Sequence, residues 1–147
     1  DGPEAGVQLQ HLEARAAGCD RIEFLGQLDR PALTREFQRA NALIVPSRGA
    51  EQFPLVILEA LLQKTPVIGH DAGPIREIIE ESRGGWVYRN DEELQKILEA
   101  LVESPGSARE AGEHGRQVST SKWSEESYFE RYFAAIDELT DPRGPVR

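Results

Sequence analysis

Apolar residues recur along the chain in two patterns, one typical of helices and one typical of buried strands. Residues 91–103 carry apolar side chains every three or four positions, whereas residues 42–45 form a continuous apolar run that Pro46 ends. The patterns predict helices over residues 4–17, 32–40, 53–63, 75–81, 91–103, 108–118 and 125–139, and strands over residues 21–28, 42–45, 65–70 and 84–88. Strands that alternate with helices predict an α/β fold, a Rossmann-like parallel sheet with helices on both faces.

The helix predicted over residues 53–63 carries a single charge among apolar residues. Glu59 lies between Leu58 and Ala60 in a segment that is apolar nearly all round, a pattern typical of a buried helix. A buried carboxylate is costly unless it has partners, so Glu59 is a candidate functional residue. Ligands of parallel sheets bind beyond the carboxyl ends of the strands. The predicted loops at those ends cover residues 26–29, 47–53 and 70–74.

Composition narrows the class of protein. The length of 147 residues suits one domain, predicted over residues 1–140, with a disordered tail at 141–147. A net charge of −9, from 17 basic and 26 acidic residues, argues against general nucleic-acid binding, although a helix N-terminus can still hold a small phosphorylated ligand. No apolar run approaches the roughly 20 residues of a membrane span. Cys19 is the only cysteine, which excludes an internal disulfide and suits a reducing, cytoplasmic location.

A pair of glutamates, Glu51 and Glu59, is separated by seven residues, and Phe53, Leu55 and Ala60 accompany it. This arrangement resembles the E-x7-E motif of retaining GT-B glycosyltransferases, especially glycosyltransferase family 4, the glycosyl transferases group 1. Further similarity lies in Asp1-Gly2-Pro3, Phe24-Leu25-Gly26 with Asp29, residues 41–47, Thr65-Pro66-Val67-Ile68 with Asp71, Gly73 and Glu77, Gly85, and Trp123-Ser124. The matches span roughly residues 1–140, so the chain resembles the C-terminal, nucleotide-sugar-binding half of such an enzyme.

The resemblance implies a donor site around the start of the helix that carries Glu59. Glu51 is expected to be catalytic and to face the donor sugar, and Glu59 to accept two charge-assisted hydrogen bonds from the ribose hydroxyls. The helix N-terminus offers backbone N–H groups to a donor phosphate. The expected donor-binding residues are Glu51, Gln52, Phe53, Pro54, Leu55, Val56, Glu59, Gln27, Leu28 and Asp29, the last three beside the nucleotide base. The nucleotide diphosphate sugar is a substrate, and neither a metal nor a cofactor is expected.

Some positions depart from the family pattern. Gln52 and Pro54 stand where glycines are common, and Pro54 has no N–H to offer a ligand. The family's domain normally begins with a further strand, helix and strand, which carry an arginine and a lysine that contact the diphosphate. Asp1 lies where that part would end. We therefore expect a fragment that is inactive alone, with the acceptor bound by an N-terminal domain outside this chain.

Such a fragment would leave a sheet edge through which two chains could pair. The full-length protein is expected in the cytoplasm, and peripheral association with a membrane is an alternative. A second hypothesis is a non-catalytic GT-B-like scaffold or interaction module, and a third is a relative of GT-B nucleotide-sugar epimerases.

Several side chains have two possible roles. Glu59 could form a structural ion pair instead of binding ribose, and Glu51 could merely complement the positive end of the helix dipole. His70 and Arg48 could contact a ligand or be ordinary loop residues. Asp71 is expected to form a turn, and Arg76 to be solvated.

Overall fold

The computed structural model describes the backbone of residues 3–48 and 54–140, with side chains from residue 9 onward in these ranges. The elements in chain order are α1 (Pro3–Ala16), α2 (Arg30–Arg39), β1 (Leu43–Val45), α3 (Leu55–Leu62), β2 (Val67–His70), α4 (Pro74–Ser82), β3 (Gly85–Tyr88), α5 (Asp91–Glu103), α6 (Pro105–Lys122) and α7 (Glu125–Thr140). The chain divides into two compact units, Asp1–Ala32 and Leu33–Arg147. The predicted tail at 141–147 lies outside the described residues, and the assignment of residues 1–140 to one domain stays a prediction.

The second unit contains a parallel sheet of three strands in the order β1-β2-β3. Leu43 of β1 pairs with Val67 of β2, which in turn pairs with Gly85 of β3. The connection from β1 to β2 contains α3, and α4 joins β2 to β3, because parallel neighbours need a crossover rather than a tight turn. The prediction of an α/β fold with a parallel sheet is confirmed.

One face of the sheet packs against α3 and α4. Side chains of a strand alternate between faces, and Val45 and Val67 lie on the face where the apolar core forms. The other buried members of this core are Phe37, Ile57, Ala60, Leu61, Ile75, Ile78 and Ile79. Gly69 lets α4 lie close to β2, because a methyl group there would overlap the side chain of Ile75.

The opposite face of the sheet carries the alternate residues of the strands, among them Ile44 and Ile68. Ile44 lines an apolar groove together with Leu98, Leu101 and Val102 of α5. Helices therefore lie on both faces, as predicted. Ile44 is 42% exposed and Val102 80% exposed, so this face is covered less completely than the α3–α4 face.

Helix α6 packs through small residues rather than large apolar ones. Gly112, Gly115 and Ser119 are its buried positions, and their spacing places them on one face of the helix. A methyl group at Gly115 would lie 2.5 Å from the Leu61 side chain of α3. The small residues therefore allow α6 to approach α3 closely. The helix is also longer at both ends than the predicted range of 108–118.

The strand predicted over residues 21–28 is wrong. This stretch of the first unit has no regular secondary structure in the described chain, and Ile22, Phe24 and Leu25 are 53%, 42% and 46% exposed. A strand requires a neighbour that completes its hydrogen-bonded ladder. Among the described strands, none pairs with residues 21–28. The apolar residues of this stretch favour burial, but they do not determine whether a neighbouring strand is present to pair with it.

Candidate functional site

The carboxyl ends of the three parallel strands meet at one edge of the sheet, where the sequence predicts the site. The last residues of β1, β2 and β3 are Val45, His70 and Tyr88. The exposed Arg48 follows β1 by three positions. Helix α3 follows β1 in the chain and therefore begins near this edge. The edge thus combines helix N–H groups with polar side chains.

Helix α3 begins at Leu55, and its N-cap residue is Pro54. Pro54 is buried, has an extended backbone (φ −76°, ψ 94°) and forms no side-chain capping hydrogen bond. The first N–H groups of α3 belong to Leu55 and Val56, since proline has none, and Leu55 is 66% exposed. The N-terminal end of α3 therefore presents backbone N–H groups and the positive pole of the helix dipole, and both favour the binding of an anion.

Glu59 is less buried than its sequence context predicts. It is partly exposed, and it shares a helix face with Leu55 and Leu62, four positions before it and three after it. Leu62 is 40% exposed, whereas Ile57 and Leu61 on the other face are fully buried. The prediction of a helix buried all round is therefore wrong. The prediction fails because only one face of α3 packs against the sheet. The Glu59 carboxylate therefore lies on the other, accessible face of the helix, among apolar residues.

Three of the predicted donor-binding residues, Glu51, Gln52 and Phe53, lie outside the described residues. The catalytic role of Glu51 and the E-x7-E motif therefore stay predictions. The structure does place Pro54, Leu55, Val56 and Glu59 within the first turns of one helix and its entry.

The three residues predicted beside the nucleotide base belong to the first unit. Gln27 is exposed and Leu28 is partly buried. Asp29 accepts a hydrogen bond of 2.8 Å from the backbone N–H of Ala32, which is the role of an N-cap residue at the start of α2. Their role at the base stays a prediction, and Asp29 already has a local structural function.

His70 and Tyr88 form an aromatic pair at the ends of β2 and β3. They are register partners, and their rings meet edge to face with centroids 5.4 Å apart. Nδ1 of His70 is buried, and it has no hydrogen-bond partner in the part of the chain that the structure describes. Burial raises the pKa of the Tyr88 phenol, nearby Arg48 opposes this rise, and Asp91 adds to it. Tyr88 was not singled out from the sequence, where it reads as an ordinary strand residue.

Ion pairs order the loop that follows β2. The backbone N–H of Asp71 donates to the carbonyl of Tyr88 at 2.7 Å, and its carboxylate accepts from Arg76 Nη1 at 3.1 Å. Arg76 also donates to Glu80 at 2.8 Å. The carboxylates of Asp71 and Glu80 raise the pKa of the Arg76 guanidinium. Arg76 is half exposed, as expected, but it is also paired on both sides, which the sequence did not indicate.

The described residues contain neither a cluster of metal ligands nor a membrane-spanning helix. No group of three or more histidine, cysteine, aspartate or glutamate side chains there could hold a metal ion. In the same residues, no helix is both long enough and apolar enough to cross a bilayer. The expectation of a donor bound without metal stays a prediction.

The sequence matches a known family. Residues 4–118 match the family described as glycosyl transferases group 1. This match covers most of the chain, so the protein belongs to that family. Membership favours sugar transfer over the epimerase hypothesis.

Curated relatives include two with 30% identity. One is an exopolysaccharide phosphotransferase of Streptomyces coelicolor, aligned over 97% of this chain and 16% of its own length. The other is a D-inositol 3-phosphate glycosyltransferase of Mycobacteroides abscessus, aligned over 98% of this chain and 33% of its own length. The chain thus spans a third or less of these two relatives.

Solved structures show the same architecture. Sucrose-phosphate synthase from Thermosynechococcus elongatus superposes with a TM-score of 0.79 at 24% identity, over 95% of this chain and 36% of that protein. Anabaena HepE in complex with UDP-glucose superposes with a TM-score of 0.76 at 19% identity, over 92% of this chain and 38% of that protein. The chain has the Rossmann-like architecture of one half of a GT-B glycosyltransferase.

Proposed function

We propose that this chain is the donor-binding domain of a retaining glycosyltransferase, which moves a sugar from a nucleotide diphosphate sugar to an acceptor. The observation that carries the proposal is the arrangement of α3, an N-terminus that its N-cap residue Pro54 does not cap with a side chain, and Glu59 one turn along the same helix. Family membership supports the transfer of a sugar. The complex of HepE with UDP-glucose supports a nucleotide-sugar donor.

The geometry of α3 suits a nucleotide diphosphate. The N–H groups of Leu55 and Val56 would hold a phosphate of the donor, where the helix dipole adds positive charge. Glu59 lies four residues beyond Leu55, about 6 Å along the helix axis. That separation suits a ribose attached to the phosphate. A carboxylate can accept hydrogen bonds from both ribose hydroxyls at once.

Catalysis would take place where the sugar meets the loop before α3. Glu51 would face the donor sugar, and Gln52, Phe53 and Pro54 would line its pocket. The bond from the sugar to phosphate would break through an oxocarbenium-like state with retention of configuration. The departing diphosphate needs electrostatic stabilisation, which the α3 N-terminus would supply in part. We expect this chemistry without a metal ion.

We further infer that this chain alone does not transfer sugar. It spans about a third of the D-inositol 3-phosphate glycosyltransferase relative, and we expect the acceptor to bind to another part of a longer, cytoplasmic protein. Product formed by the purified chain from a nucleotide sugar and an acceptor would contradict this inference.

We also infer that two copies of this chain can pair through β1. This strand has a sheet neighbour on one side among the described strands, and Ile44 beside the free edge is 42% exposed. Exposed strand edges invite pairing between chains, and a charge on such an edge suppresses it. Sedimentation of the native chain and of Ile44→Lys should then show a dimer only for the former. A native chain that stays monomeric at high concentration would exclude the pairing.

The deciding experiment is a calorimetric titration with UDP, GDP and ADP. We expect one nucleotide to bind and Glu59→Gln to weaken its affinity about 10- to 100-fold, because charge-assisted hydrogen bonds are lost. Glu92→Gln is the matched control, because it changes an exposed glutamate in the first turn of α5. Equal losses in both variants would argue for a general charge effect instead.

The non-catalytic interaction module is the second candidate. Pro54 favours it, since proline at the entry to α3 removes one N–H where the family commonly has glycine. Failure of all three nucleotides to bind at millimolar concentration would leave this candidate in place of the donor site.

A further inference from the structure

The imidazole of His70 has a polar atom that the described protein leaves unsatisfied. Its Nδ1 is buried and has no hydrogen-bond partner, although the residue as a whole is partly exposed. Buried polar atoms are nearly always paired, so an exception calls for an explanation. The position at the carboxyl end of β2 points to a role for the other ring nitrogen, Nε2, because this edge of a parallel sheet is where ligands bind.

The unpaired nitrogen determines the tautomer of the neutral ring. A buried N–H without an acceptor is less favourable than a buried nitrogen lone pair without a donor. The proton of a neutral His70 therefore belongs on Nε2. The edge-to-face contact with Tyr88 holds the ring in place. His70 thus carries a pre-oriented N–H donor on the side of the ring opposite the buried atom.

The surroundings of this donor suit an oxygen-rich ligand. The preceding residue, Gly69, pairs with Val45 at the end of β1, so the ends of these strands lie about 5 Å apart. The chain after Val45 leads to Arg48 and then to α3. Arg48 is close enough to Tyr88 to act on the phenol electrostatically. His70 therefore lies at the same sheet edge as the cation and the start of α3.

We propose that His70 donates a hydrogen bond from Nε2 to an oxygen of the nucleotide sugar, either a phosphate oxygen or a sugar hydroxyl. This inference rests on the proposed donor-binding function. It adds a contact from β2 to the contacts from α3. It also gives a function to a polar ring whose buried nitrogen has no hydrogen-bond partner in the described protein.

Two substitutions of His70 separate a ligand contact from a packing role. His70→Phe keeps an aromatic ring against Tyr88 but removes both nitrogens. His70→Gln places an amide N–H near the position of Nε2. We expect His70→Phe to lower the affinity for the nucleotide sugar about fivefold to tenfold, which is the effect of one lost hydrogen bond. His70→Gln should keep part of the affinity that His70→Phe loses. We also expect His70→Phe to melt at the same temperature or higher, because it removes an unsatisfied buried atom.

The titrations use UDP, GDP and ADP and then UDP-glucose, GDP-glucose and ADP-glucose. A loss that is equal for the nucleotide and its glucose conjugate assigns the contact to a phosphate oxygen, and a loss confined to the conjugate assigns it to the sugar. Unchanged affinity of His70→Phe for a ligand that Glu59→Gln weakens would overturn the inference and leave the proposed function intact. Binding of no ligand to the native chain would overturn both. A lower melting temperature of His70→Phe without recovery of affinity in His70→Gln would show a packing role instead.

Discussion

Gly112 of α6 provides a sharp test of how α3 is held. Its Cα faces the backbone of Lys64, just beyond the end of α3. A methyl group at position 112 would overlap the Lys64 carbonyl oxygen and lie 2.8 Å from the carbonyl carbon. Backbone atoms cannot rotate away as a side chain can, so either α6 or the turn after α3 must move. We therefore expect Gly112→Ala to destabilise the protein.

The magnitude follows from two opposing effects. Alanine favours the interior of a helix over glycine by about 1 kcal/mol, whereas overpacking costs about 1–3 kcal/mol and more when the partner is rigid. Because the added methyl group would meet backbone atoms of Lys64, we take the upper end of the overpacking cost, about 3 kcal/mol. The net loss expected for Gly112→Ala is then about 2 kcal/mol, a substantial part of the roughly 5–15 kcal/mol that is typical of a domain. Gly106→Ala in the same helix is the matched control, because nothing lies within 4 Å of its added methyl group.

Urea unfolding followed by circular dichroism measures both variants against the native chain. Gly106→Ala should unfold at the same or a higher urea concentration, and Gly112→Ala at a clearly lower one with an unchanged slope. If the two variants shifted together, the close approach of α6 to Lys64 would be refuted. A lower slope for Gly112→Ala alone would show that the native packing had loosened instead.

Three further predictions concern single contacts. The buried Thr65 hydroxyl donates to the Phe37 carbonyl at 2.5 Å, so Thr65→Val should cost about 1–3 kcal/mol in urea unfolding while Thr65→Ser costs less. Asn90 accepts from the Glu93 N–H at 3.0 Å as the N-cap of α5, so Asn90→Ala should cost about 1 kcal/mol and Asn90→Asp little. The side-chain hydrogen bond from Arg89 lowers the pKa of Glu93, so this pair stabilises the fold above the unfolded glutamate pKa and loses its effect as pH falls through the folded pKa. An NMR titration of Arg89→Gln should show the pKa of Glu93 raised, and an unchanged pKa would refute the coupling.

The strands show what an apolar run can and cannot predict. The runs at 42–45, 65–70 and 84–88 contain β1, β2 and β3, because each has a neighbouring strand within the chain. The segment at 21–28 also contains apolar residues, Ile22, Phe24 and Leu25, but it has no strand partner among the described residues. Composition reports that a segment favours an extended, buried state, whereas the ladder depends on which other segment is beside it.

Small residues conceal the packing of α6 from sequence reasoning. Its buried positions are Gly112, Gly115 and Ser119. The buried face of a helix is predicted from large apolar residues at helical spacing, and glycine and serine do not provide that signal. Glycine inside a helix even lowers the expectation of a helix. The close approach to α3 that the glycines permit becomes visible only when the facing backbone is placed.

The elements around the candidate site were predicted better than their packing. Glu59 lies on the helix that the sequence predicts, and the predicted strands end at one edge of the sheet, whereas a ligand site at that edge stays a prediction. The sequence could not tell which face of α3 meets the sheet, because an almost wholly apolar helix has no distinct polar side. Tyr88 was missed for a related reason, since its pairing with His70 follows from strand register rather than from spacing along the chain.

The two ends of α3 are held very differently, which bears on how the site works. At the C-terminal end, Arg116 donates to the Leu62 carbonyl at 2.7 Å, and Lys64 pairs with Glu113 of α6 at 2.7 Å. At the N-terminal end, the N-cap residue Pro54 forms no side-chain capping hydrogen bond. Under the proposed function, a helix fixed at its C-terminal end can offer the N–H groups of its first turn to the donor without a change in the position of its axis. Substitutions in α6 should then change stability more than nucleotide affinity.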